Sequence, residues 1–334
     1  RLTPSLRRYE DAADLRGVFF CTQTTHGSMH TLLSNRHVWW FTLVYLGSIG
    51  VLIAGGRPLE DVIGAFLILG VLLPLVALAA CARMPRPPPP APWRGDDGAL
   101  LLGLLAWIVV FLLLKGPLLT ALLPSAPDPR LHDTINTLAK LFAFVAVPAF
   151  VLRSRSFRWS DAGRPSASTP RLWLTFVVMA FAAFAVQAVL GSQFKRLLGA
   201  DYAGHQLWLA GVLCWAWMSI EAGLVEEFFF RWYLQSRLAA WTGSQVSAVL
   251  LGALVFGLAH APGILLRGAG AAEGLGDAPG IGTTLAYVIA TQGVAGIAFG
   301  VLWARTRSFM LVVALHGLFD AFSNAAPFID TWGL

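Results

Sequence analysis

Two glutamates, Glu226 and Glu227, stand side by side in the apolar stretch "VEEFFFRWYL", and Arg231 follows four residues later. On the lower scales a charge at the centre of a bilayer costs about 2.5–3.5 kcal/mol, so three in one stretch call for an account. On a helix Glu227 and Arg231 share a face. The acid lies nearer the N-terminus, which is the favoured order for such a pair. Glu226 points roughly 100° away and lacks that partner. A carboxylate left free to titrate is a candidate general base. A structural reading also fits these three residues: an ion pair that locks helices, with Glu226 bonded to a nearby hydroxyl. Glu221 is another acid in apolar company, and the sequence leaves open whether it supports the site or lines a cavity.

Two further polar stations follow. His260 lies in "FGLAHAPG", with Phe256 one turn before it on the same face. Pro262 and Gly263 predict a bend or an end of that helix. Phe256 reads as packing, and His260 alone also fits a histidine bonded to a neighbouring helix. In "LHGLFDAFSN", His316, Asp320 and Asn324 occupy successive i+4 positions, forming one polar stripe. A buried structural network would also explain that stripe. Taken together, acids and histidines project from three apolar segments, and such interior clusters mark functional sites. The inventory suits activation of a water: a carboxylate base, an imidazole to hold the water, and donors for a developing oxyanion. There is no GxSxG, no pair of aspartates suited to an aspartyl site, and no HExxH spacing for a zinc helix.

The elements that must carry these residues are membrane helices. Of 334 residues, 57% are hydrophobic and 13% charged, about half the charge of a soluble domain. The sequence predicts an all-α polytopic membrane protein, a bundle of about nine transmembrane helices. They are expected near 38–54, 62–82, 99–123, 136–152, 172–191, 208–230, 246–266, 284–304 and 309–327, each close to the length that spans a bilayer. Residues 1–37 read as a cytosolic polar tail, with no signal peptide expected. Residues 38–98 read as a two-helix hairpin followed by the linker "MPRPPPPAPWRGDDG". Residues 99–334 read as the main multi-helix domain, its motifs falling within 172–327. The glycine-rich stretch 267–284 fits either a lid or a slack connector. Gly296 and Gly300, in GxxxG spacing, predict close helix packing.

The formal net charge of +6 follows topology rather than nucleic-acid binding. Seventeen Lys and Arg fall on the side of the N-terminal tail, the Pro-rich linker, 153–171, 231–245 and 305–308. Five fall on the other, and Lys115 and Lys140 lie within helices. The positive-inside rule then places the N-terminus in the cytoplasm and the C-terminus outside. Cys21, Cys81 and Cys214 are far apart and show no metal spacing, so neither a disulfide framework nor a cysteine nucleophile is expected.

The three stations resemble the CPBP family: CAAX prenyl proteases of the Ras-converting type, bacteriocin-processing proteins and abortive-infection proteins. That family's pattern is EExxxR, FxxxH, then HxxxN or HxxxD. Here the motifs stand in order as Glu226-Glu227…Arg231, Phe256…His260 and His316…Asp320. The resemblance implies intramembrane hydrolysis of a peptide bond near the membrane end of a protein or peptide substrate. It makes Glu226 the general base and His260 a residue that positions water. His316 and Asp320 would face the oxyanion, with Glu227 and Arg231 in support. Asn is common at the last motif position, and Asp320 can donate a hydrogen bond only when protonated. Asn324, one turn on, is then a candidate donor; unchanged turnover after Asn324→Ala would remove it from that role.

The resemblance implies a multi-pass protein of the bacterial inner membrane, partnered by the lipid bilayer and a membrane-anchored substrate. No cofactor is expected. A zinc-dependent version with Glu226, His260, His316 and Asp320 as ligands has suitable ligand types. An ion-coupled transporter, using the same groups as a proton path, and a non-catalytic immunity or scaffold protein are the readings of other classes.

Overall fold

The computed structural model describes residues 34–123, 128–165, 167–267 and 279–334. Cys21, the polar tail before residue 34 and most of the glycine-rich stretch lie outside these residues. Among the described residues there is no strand, and nine helices are long and apolar enough to cross a membrane. They are α1 (Arg36–Ala54), α2 (Leu59–Ala80), α3 (Asp97–Leu122), α4 (Pro129–Ser154), α5 (Thr169–Leu190), α6 (Gly204–Thr242), α7 (Gln245–Arg267), α8 (Ile281–Thr306) and α9 (Phe309–Trp332). Helices α1 to α5 leave large apolar side chains such as Leu102, Phe150 and Phe181 on the outside, as lipid-facing helices do. Helix α8 is the most buried of the nine, and α6, α7 and α9 pack around it.

The sixth helix departs most from expectation. The sequence places an end near 230, where Arg231, Gln235, Ser236 and Arg237 lower the hydropathy, while "RWYLQSRL" allows an extension that would bring Glu226 to the level of His260. The helix runs on to Thr242. Those four side chains are all buried within protein rather than in lipid. Gln235 donates to the Gly300 carbonyl at 2.8 Å, and the Arg237 guanidinium reaches Asp97 at 3.1 Å. A hydropathy reading prices these groups as if they met lipid. Partners on α3 and α8 remove that cost.

The extension sets the depth of the site. Helix α6 ends on Gly243, at φ +66°, a left-handed conformation that glycine adopts without strain. Ser244 then caps α7 by accepting from the Ser247 amide. Glu226 and His260 are equidistant along the chain from Gly243, so the antiparallel hairpin brings them to one level. Helix α9 crosses α6 closely. A Cβ at Gly317 would lie 2.5 Å from the backbone N and Cα of Ser219. Gly317→Ala should therefore push the helices apart and destabilise the protein by about 1–3 kcal/mol. A melting temperature in detergent unchanged by the substitution would refute this contact. Gly296 and Gly300 also sit at a close approach, facing Phe256 and Val249 of α7 at 3.0 Å from an added Cβ.

The Pro-rich linker is held against the bundle. Arg237 donates to the carbonyls of Ala91 (2.8 Å) and Pro92 (3.4 Å), and the Ala91 amide donates to the Asp161 carbonyl. Arg94 pairs with Asp161 across the same end at 3.3 Å. Cys81 and Cys214 are buried free thiols.

Candidate active site

Glu226 and Glu227 lie where α6 widens into π-helical turns, at Ser219–Leu224 before them and at Glu227–Gln235, which Glu227 opens. Such widened turns recur at functional sites because they re-aim side chains. The two carboxylates meet opposite nitrogens of His316 and otherwise differ in their partners. Glu227 is fully buried, with Arg231 Nε 3.6 Å from its Oε2. Its other oxygen accepts from His316 Nδ1 at 2.7 Å. Glu227 thus bridges α6 and α9, a role beyond the pairing with Arg231 that helix spacing predicts. The Arg231 guanidinium stacks over the Phe256 ring, 4.3 Å from its centroid, and its Nη2 lies 3.5 Å from the Gly296 carbonyl.

Glu226 faces both histidines. Its Oε2 lies 3.9 Å from His260 Nε2 and 3.7 Å from His316 Nε2. That oxygen is buried and lacks a hydrogen-bond partner within the protein. His316 Nε2 is also 3.7 Å from Asp320 Oδ2. Four side chains from three helices therefore meet around Glu226 and His316.

The ring orientations follow from their outer contacts. His260 Nδ1 is 2.9 Å from the Phe256 carbonyl. A carbonyl only accepts, so Nδ1 carries the proton and Nε2 faces Glu226. Helix α7 makes this possible by breaking at His260, where α-helical bonding stops before resuming at Ala261. For His316 the Glu227 carboxylate accepts from Nδ1, which turns Nε2 toward Glu226 and Asp320. Phe256 packs edge-on against His260 and His316, and the Phe299 ring lies 5.0 Å from that of His316. Asn324 lies one turn beyond Asp320, and its amide donates to the Asp320 carbonyl at 2.8 Å. Among the described residues no three His, Cys, Asp or Glu side chains are disposed to hold one metal ion.

A second polar group sits beside this site. Glu221 accepts from Lys140 at 3.0 Å, from Asn136 at 3.1 Å and from Trp217 Nε1 at 2.9 Å. Lys115 donates to Asn136 at 2.9 Å. The signal for it in the sequence is the pair of lysines inside apolar segments. What sequence reasoning lacked was that α3 and α4 bring Lys140 to Glu221 and Lys115 to Asn136, itself bonded to Glu221. Glu227 as the partner of His316, and Phe299 as a wall of the site, carried no legible signal.

Residues 207–322 match the family model described as Type II CAAX prenyl endopeptidase Rce1-like. The match covers about a third of the chain, runs from α6 into α9, and contains Glu226, His260, His316 and Asp320. No curated protein and no solved structure matches the chain. The protein is an integral multi-pass membrane protein that carries an Rce1-like domain of the CAAX protease family.

Proposed function

We propose that this domain is an intramembrane endopeptidase in which Glu226 is the general base that activates water. The observation that carries this reading is the convergence of the unpartnered Glu226 carboxylate oxygen on two imidazole nitrogens, at 3.9 and 3.7 Å. One water at ordinary hydrogen-bond distances from Glu226 and from His260 Nε2 would donate a hydrogen bond to each. Its lone pair is then free to attack a peptide carbonyl. As the C–O bond forms, Glu226 takes the water's proton. When the C–N bond breaks, the same carboxyl returns it to the leaving amine.

His316 is the candidate oxyanion donor. With Nδ1–H held by Glu227, a protonated His316 presents Nε2–H to the developing charge, and Glu227 stabilises that cation. Asp320 beside it donates only in its acid form. Asp320→Asn keeps a donor at every pH and should sustain turnover at neutral pH. Asp320→Leu should lose roughly 10²–10³-fold, the usual loss for an oxyanion donor. Equal activity in the two variants would remove Asp320 from the site chemistry.

The substrate is a membrane-anchored protein or peptide. In cells, Glu226→Gln should accumulate uncleaved membrane substrates, seen by comparing N- and C-terminal peptides with those of the wild type. Unchanged peptide patterns would overturn the protease reading. Metal content of the purified protein, with a chelator assay, separates this mechanism from a zinc-dependent one.

A further inference from the structure

The groups around Glu226 are distributed unequally between the two ends of the bundle. The turns at Gly243 and Arg307 mark one end. Between the site and that end lie Arg231, Tyr233, Gln235, Trp303 and Val312, none more than 1% exposed. These five side chains form a closely packed layer.

Toward the other end the same helices open. Along α9, side-chain exposure rises from 8% at His316 to 38% at Asp320. His260, at the break in α7, is 31% exposed. Lys140 and Glu221 lie on this side, 22% and 15% exposed. Lys115 adds a second ammonium group through Asn136. Charged groups gathered in this way at membrane depth are tolerated where they pair with one another or line a water-filled cavity. The side chains around Glu226 are thus more exposed toward this end than toward the other.

Charge also gives the two ends their orientation. Among the described residues, twelve Lys and Arg lie in the loops and helix ends on the Gly243 side, Arg83, Arg94, Arg155, Arg158 and Arg307 among them. Five lie on the opposite side: Arg57, Arg130, Lys195, Arg196 and Arg267. The basic end is the cytoplasmic one. The packed layer faces the cytoplasm, and the more exposed end faces away from it.

We propose that the site is entered from the non-cytoplasmic face, and that the substrate is a peptide segment lodged at that face after export. "Substrate" here rests on the endopeptidase reading; the route of access does not. The test is thiol accessibility in sealed membrane vesicles of both orientations, with a charged, membrane-impermeant maleimide. Cys21, Cys81 and Cys214 are first replaced by Ala. Asn324→Cys and, on a different helix, Lys140→Cys report on the approach. Glu60→Cys and Arg158→Cys mark the two faces. The result expected is that the reporters react from the same face as Glu60→Cys and not from that of Arg158→Cys. Two reporters keep the test alive if one variant does not fold. Reaction from the Arg158→Cys face, or from neither, overturns the proposal. Labelling as expected, combined with unchanged substrates in Glu226→Gln cells, would leave the access route standing and remove proteolysis.

Discussion

Purified Glu226→Gln protein should fold like the wild type and turn over substrate roughly 10²–10⁴-fold more slowly, the usual contribution of a general base. Glutamine keeps the shape of the side chain and a carbonyl that accepts a hydrogen bond. It cannot take a proton from water. His316 keeps its bond to the Glu227 carboxylate when Glu226 loses its charge, so no cation is left without a counter-ion, and the melting temperature should move little. The neighbouring variant sharpens the test. In Glu227→Gln the amide carbonyl can still accept from His316 Nδ1, but the charge opposite Arg231 is gone. That variant should lose stability as well as rate. If Glu226→Gln instead retained turnover, the assignment of base and support would be inverted. Both measurements need a substrate in hand, which comparison of peptide termini in cells is designed to supply.

The order of the three motifs and the positions of the helices were legible from local pattern alone. Each membrane helix is an apolar run, and each motif fits within one turn or two. What resisted reading was anything that depends on partners distant in the chain. Arg231, Gln235 and Arg237 look like the start of a loop because hydropathy counts a charge without its neighbour. They are helical because Glu227, Gly300 and Asp97 receive them. The same limit hid the double role of Glu227. Spacing on α6 pairs it with Arg231, and nothing in that spacing points to His316, 89 residues away. Lys115 and Lys140 were visible as anomalies but not as a group, because α3, α4 and α6 must pack before Asn136 and Glu221 can join them. Asn324 illustrates the converse. Its i+4 place after Asp320 puts it on the polar stripe, and its amide donates to the carbonyl one turn back.

Arg231→Met should be the most destabilising single change in the site, by about 3–5 kcal/mol, because it leaves the Glu227 carboxylate fully buried without its cation. The measurement is unfolding in detergent, as a fall in melting temperature or in resistance to denaturing detergent. Arg231→Lys should rescue little. An ammonium does not reproduce the flat stack over Phe256 at 4.3 Å, nor does it reach both Glu227 and the Gly296 carbonyl from one rigid fork. The double variant Arg231→Met with Glu227→Gln removes both charges together, and its stability should return most of the way toward the wild type. Its turnover should not return. His316 would keep a hydrogen bond through the glutamine carbonyl but lose the negative charge that supports its cationic form beside the oxyanion. Stability recovered without activity would show that the ion pair serves the chemistry through His316. Recovery of both would reduce Glu227 and Arg231 to a clasp between α6 and its neighbours.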